Sequence, residues 1–172
     1  MEKALRNASV LVGTTPIIAL IYFQSLFRGK KKAVRSFGPI MTRVAKHLLR
    51  YWVPDIPDAS HFNECRAQMK RNFRFWSLLS DIDITEDTPD TFKIHVRNCA
   101  FCEVFTFVGL SQVNRYICKA DWEIAKDNKG KWFFARQHTI ESGDCFCDHT
   151  YRRHNTPNPR DGRRPAPPAL DR

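Results

Sequence analysis

The chain has 172 residues, 42% of them apolar, which suits one domain with a sizeable core and excludes a wholly disordered chain. Six cysteines are too sparse for a disulfide scaffold. The net charge of +10 points to nucleic acid or an anionic membrane, and its distribution argues against nucleic acid: residues 1–50 hold ten Lys/Arg and one acid, residues 51–150 twelve and fifteen, residues 151–172 six and two.

Residues 9–27 carry no charged side chain and match the hydrocarbon thickness of a bilayer if helical. Arg28, Lys30, Lys31, Lys32 and Arg35 follow, a positive flank that places the C-terminal side in the cytosol if the segment spans. No small-residue cleavage site follows either, which argues against a removed signal peptide. The alternative is a helix from Pro16 to Phe27 that packs Ile17, Leu20, Ile21 and Phe23 on the domain. Residues 1–28 are therefore expected to form a hydrophobic helix, a membrane anchor or a packed element. The body, residues 29–152, is expected in the cytoplasm.

Residues 30–50 repeat apolar positions at three and four and predict a second helix, with Gly38-Pro39 as a break or kink. Residues 51–60 read as a loop, 61–80 as a third helix and 81–91 as an acidic turn region. Phe92 to Arg97 alternates and predicts a strand. Residues 101–125 are apolar at helical spacing with an interruption at Gly109. Lys131 to Ile140 and Cys145 to Arg152 predict two strands of an antiparallel hairpin. From Arg153 onward Pro and Arg dominate, and residues 153–172 are expected to be a disordered tail. The order gives an α+β fold: N-terminal helices, then strand, helix and hairpin, forming a small antiparallel sheet covered by helices.

The chemistry-bearing residues cluster late in the chain. Cys118 and Asp121, three apart on a predicted helix, share a face. Cys147 and Asp148, adjacent on a predicted strand, point to opposite faces. Cys99 and Cys102 form a CxxC pair and Cys145 and Cys147 a CxC pair, a poor match to the knuckles of a zinc ribbon. His95, His138 and His149 are candidate bases.

The stretch from Phe92 to Tyr151 resembles the L-2-amino-thiazoline-4-carboxylic acid hydrolase family. The resemblance rests on Asn98-Cys99 at a strand end, a helix with Gly109, the CxxD pair Cys118 and Asp121, a strand with Arg136 and Thr139, and Gly143 leading to Cys147-Asp148. His149 stands where the family usually has an aromatic. The resemblance implies a hydrolase that opens a small cyclic amidine or thiazoline-type ring, a small-molecule substrate, and no cofactor or metal. It implies Cys118, Asp121 and Cys147 as catalytic, with Cys118 or Cys147 as the attacking thiolate and Asp121 holding the amidinium. Cys99, Arg136, Thr139, Asp148 and His149 are implied as substrate-binding, with Arg136 as a fork for a carboxylate. The alternative is a non-catalytic module, tethered to a membrane, that binds a small ligand or a zinc ion through Cys99, Cys102, Cys145 and Cys147.

Overall fold

The computed structural model describes residues 3–154. The tail expected to be disordered lies, from residue 155 on, outside the described residues. Two long helices come first, α1 (Lys3–Arg28) and α2 (Lys30–Arg50). Gly29 alone separates them, at φ +75, a left-handed conformation that glycine adopts without cost. Pro16 and Pro39 both lie inside helices, so Gly38-Pro39 does not break α2 as the sequence suggests. Gly38 instead lets the Tyr116 ring lie on the α2 backbone: a Cβ there would meet Tyr116 Cε1 at 2.3 Å. Beside it, the Thr42 hydroxyl donates to the Tyr116 carbonyl at 2.8 Å.

The chain continues through α3 (Phe62–Trp76), β1 (Asp81–Asp87), β2 (Thr91–Arg97), α4 (Ala100–Phe107), α5 (Asn114–Asp127), β3 (Trp132–Ala135) and β4 (Cys147–Arg153). The sheet is antiparallel throughout, in the order β1-β2-β4-β3. Together these elements make an α+β fold, with β3 and β4 paired as expected.

Two strand expectations need correction. Residues 81–87 of the acidic stretch are an edge strand, and only 88–90 turn, because the isoleucines pair with β2: Ile82 with Val96 and Ile84 with Ile94. The strand predicted over 131–140 ends at Ala135. Beyond that point the Asp148 carboxylate accepts the Gln137 and His138 backbone N–H groups, which a continued ladder would have given to β4. The apolar run over 101–125 also divides, into α4 and α5 around Gly109.

Phe92, Ile94 and Val96 of β2 and Cys147 and Tyr151 of β4 face one side, and α3 and α5 cover it with Phe62, Met69, Trp76 and Ile124. Each large side chain buried there contributes roughly 1.5–3 kcal/mol. A second core joins Ile21 of α1, Val34 and Met41 of α2, and Phe105 of α4.

The first helix packs on the body along one face. Arg6 is buried and donates to Asp81 at 2.9 Å, Lys3 pairs with Glu103 at 2.9 Å, and Ile21 is fully buried. Its opposite face exposes Leu5, Val12, Leu20, Phe23 and Phe27, a stripe at helical spacing. The helix is long and apolar enough to cross a membrane, as a core helix of a soluble protein can also be.

Candidate functional site

A cavity of about 890 Å³ lies between the helices and the sheet. Its polar end is built by four segments: Cys99 and Cys102 at the start of α4, Cys118 and Asp121 on α5, Arg136 just after β3, and Cys147 and His149 on β4. The local folding rules explain the convergence. Residues three apart on α5 share a face, so Cys118 and Asp121 both reach the cavity. Alternate residues of β4 share a face, so Cys147 and His149 line it and Asp148 does not.

The end of β2 sets Cys99. Asn98 takes a positive φ of 48, which asparagine tolerates better than most residues, and its side chain bonds Asp81. The turn leaves Cys99 as the N-cap of α4. The Cys102 thiol, Ser80 and the backbone N–H groups of Cys102 and Phe101 all stabilise the Cys99 thiolate. They outweigh the desolvation that opposes it and bring the thiol down to about 7. A helix N-terminus favours a thiolate for the same electrostatic reason. Cys102 moves the other way, because Cys118 and Cys99 bond to it and burial adds to the effect.

Cys147 is buried, which pushes its thiol up to about 12, while its Sγ accepts the Ile140 N–H at 3.2 Å. A thiol held protonated in this way is a packing group and a hydrogen-bond partner, a poor nucleophile. Cys118 lines the cavity, half-buried.

Asp121 and Arg136 form a buried ion pair, Oδ2 to Nη1 at 2.7 Å, with side chains 8% and 5% exposed. Arg136 Nη2 also donates to the Cys118 carbonyl at 3.1 Å. The expected fork for a substrate carboxylate is therefore already occupied by the protein. His149 is buried, and burial pulls its pKa down to about 4, so the ring is neutral near pH 7. Its Nδ1 is buried without a hydrogen-bond partner in the protein, and the residue lines the cavity.

Thr139 and Asp148, expected at the substrate, stand outside the cavity lining. Thr139 caps a 3-10 turn by accepting the Ser142 N–H at 3.1 Å. Asp148 pins the segment that follows Arg136. His95 stacks on Phe146 with ring centroids 4.3 Å apart, on the other face of the sheet, and His138 is exposed beside Asp144. Sequence reasoning missed Ser80, gave Cys102 only as a zinc-ligand candidate, and gave Cys99 as a zinc-ligand candidate and a substrate-binding residue rather than the residue ahead of α4 with a lowered thiol. Asn98-Cys99 ahead of an apolar helical run was the available signal.

All six cysteines are free. The four that a zinc site would use are not brought together, since Cys145 is exposed and Cys147 buried. Among the described residues no group of three or more His, Cys, Asp or Glu is placed to hold a metal ion.

The family model described as L-2-amino-thiazoline-4-carboxylic acid hydrolase matches residues 22–151, three-quarters of the chain. No curated protein matches it.

Proposed function

Since the chain belongs to the L-2-amino-thiazoline-4-carboxylic acid hydrolase family, we propose that it opens a thiazoline-type cyclic amidine by adding water, with Cys99 as the attacking thiolate. The observation that carries this reading is the placement of Cys99: a helix cap, a thiol down to about 7, and a cavity shared with Asp121, Arg136 and His149.

The chemistry follows from those groups. Asp121 keeps Oδ1 outside its bond to Arg136, and a carboxylate oxygen accepts from an amidinium N–H through a charge-assisted bond. That contact orients the ring and sustains the positive charge that makes the amidine carbon electrophilic. The Cys99 thiolate adds to that carbon. The ring carbon–nitrogen bond then breaks, and the departing nitrogen takes a proton. Water adds to the same carbon, the carbon–sulfur bond to Cys99 breaks, and the thiolate returns. The net change is one water gained and one ring opened to a carbamoyl thioester. His149, neutral and facing the cavity, accepts and returns the proton of that water.

The test is to incubate the full chain with 2-amino-thiazoline-4-carboxylate and follow the product by mass. The expected result is a gain of one water, lost in Cys99→Ser and kept in Cys147→Ser. Ring opening that survives Cys99→Ser, or no opening by the wild type, contradicts the reading.

The exposed face of α1 belongs in the same proposal, as a surface that lies on lipid. The apolar stripe Leu5-Val12-Leu20-Phe23-Phe27 and the exposed cations Lys30, Lys31, Lys32 and Arg35 suit an interfacial helix on an anionic bilayer. The inner face is engaged by the body through Arg6 and Ile21, which favours lying on the membrane over crossing it. The full chain should sediment with vesicles of phosphatidylcholine and phosphatidylserine, and Leu20→Glu with Phe23→Glu should release it. Equal sedimentation of that double variant, or none by the wild type, contradicts the assignment.

A further inference from the structure

The cavity is far larger than the ring-opening chemistry requires. Cavities of about 300–1,000 Å³ enclose drug-sized ligands, and this one, at about 890 Å³, stands near the top of that range. A single small ring with a carboxylate occupies only the polar end.

The remainder is a continuous apolar arm. The α1 wall contributes Val10, Gly13, Pro16 and Ile17, and the α2 wall Met41, Val44, Ala45 and Leu48. Leu79, Ile82 and Trp76 close the side toward α3 and the sheet. At Gly13 the wall is hollow: a Cβ there would have no atom within 4 Å. The rim is apolar too, since Val44, Leu48, Tyr51 and Phe75 are exposed.

Charge gives a second, independent constraint. Arg136 is the one Lys or Arg among the described residues that line the cavity. Its Nη1 is held by Asp121 and its Nη2 by the Cys118 carbonyl. A free carboxylate held at the polar end would find no cation whose charge Asp121 does not already balance, which is costly away from water. The same carboxyl joined as an amide or ester needs no cation and carries a substituent into the arm.

We infer that the substrate is an amphiphile: a cyclic amidine head whose carboxyl is masked as an amide or ester bearing a long apolar chain. This rests on the ring-opening reading for the head and adds the chain. Such a molecule partitions into lipid, and the helix that forms one wall of its cavity presents an apolar stripe outward.

The test uses n-alkyl amides of 2-amino-thiazoline-4-carboxylate, from methyl to octyl, and the free acid. Dissociation constants are measured by calorimetry on full-length Cys99→Ala, which binds without turnover. Ring opening is measured separately on the wild type. The expected affinity rises roughly fourfold per methylene until the arm is full, the gain of burying one methylene, and the free acid binds more weakly than the methyl amide. In Gly13→Phe, a substitution that favours the helix, the rise should stop several carbons earlier. Affinity that is flat or falling with chain length, with the free acid tightest, overturns the inference even if the acid is hydrolysed. Long amides that bind tightly without opening uphold the apolar chain in the arm, as part of a bound ligand, and remove the hydrolase reading.

Discussion

The two ends of the cavity are built from different parts of the chain. The polar end comes from α4, α5, the segment after β3 and β4, all inside the residues 22–151 that match the family. One wall of the apolar arm comes from Ser9 to Ile17, outside that match. The ends also differ in rigidity of design. The polar groups are fixed by named bonds: Asp121 to Arg136, Arg136 to the Cys118 carbonyl, Ile140 N–H to Cys147. The arm is shaped mainly by the apolar packing of α1 and α2, closed by Leu79 and Ile82. The difference teaches that the bonded polar groups all lie inside the family match, while part of the apolar wall lies ahead of it.

The comparison is most sharply broken at the ion pair. Asp121→Ala leaves the Arg136 charge buried and unpaired and should destabilise the fold by about 3–5 kcal/mol, read as the urea midpoint. Asp121→Leu with Arg136→Met should recover most of that loss while abolishing ring opening. A double variant as unstable as the single one would show that the pair is not the organiser of the polar end.

His149 gives the next effect. Its pKa, about 4 in the folded protein against an ordinary 6.5, means that the unfolded chain binds a proton first as pH falls. Stability is therefore full above pH 6.5 and declines toward pH 4, by about 3 kcal/mol in all. Urea midpoints across that window should fall in the wild type and fall less in His149→Phe. Parallel slopes would place the histidine in contact with water.

Thr139 gives the smallest. It stands outside the cavity as a cap, so Thr139→Ala should cost about 1 kcal/mol with ring opening unchanged. A fall in turnover at equal stability would return Thr139 to the polar end.

Much of this was legible in the sequence because it follows short-range rules. The spacing of Cys118 and Asp121 predicted one helical face, and the alternation of β4 separated Cys147 from Asp148. The elements were legible where periodicity was strong, as in α2 and β2. What failed depended on distant partners. The edge strand β1 is acidic and became a strand through Ile82 and Ile84 meeting β2. The strand at 131–140 was cut short by a carboxylate ten and eleven residues further along the chain from the N–H groups it accepts, Asp148, which no local pattern announces. The cysteine ranking turned on environment: the Cys147 thiol is raised by burial, the Cys99 thiol is lowered by the Cys102 thiol, nearby backbone N–H groups and Ser80, and neither setting is visible until the chain is folded. Arg136 looked free for a substrate because its partner, Asp121, lies on another element.

The most direct measurement is the rate at which iodoacetamide modifies each cysteine of the full chain between pH 5 and 9, resolved by peptide mass spectrometry. The account predicts that Cys99 reacts first, with a midpoint near pH 7, that Cys147 stays inert, and that a bound thiazoline amide protects Cys99. Faster modification of Cys118 or Cys147, or a Cys99 that reacts no sooner than an ordinary thiol, would contradict it.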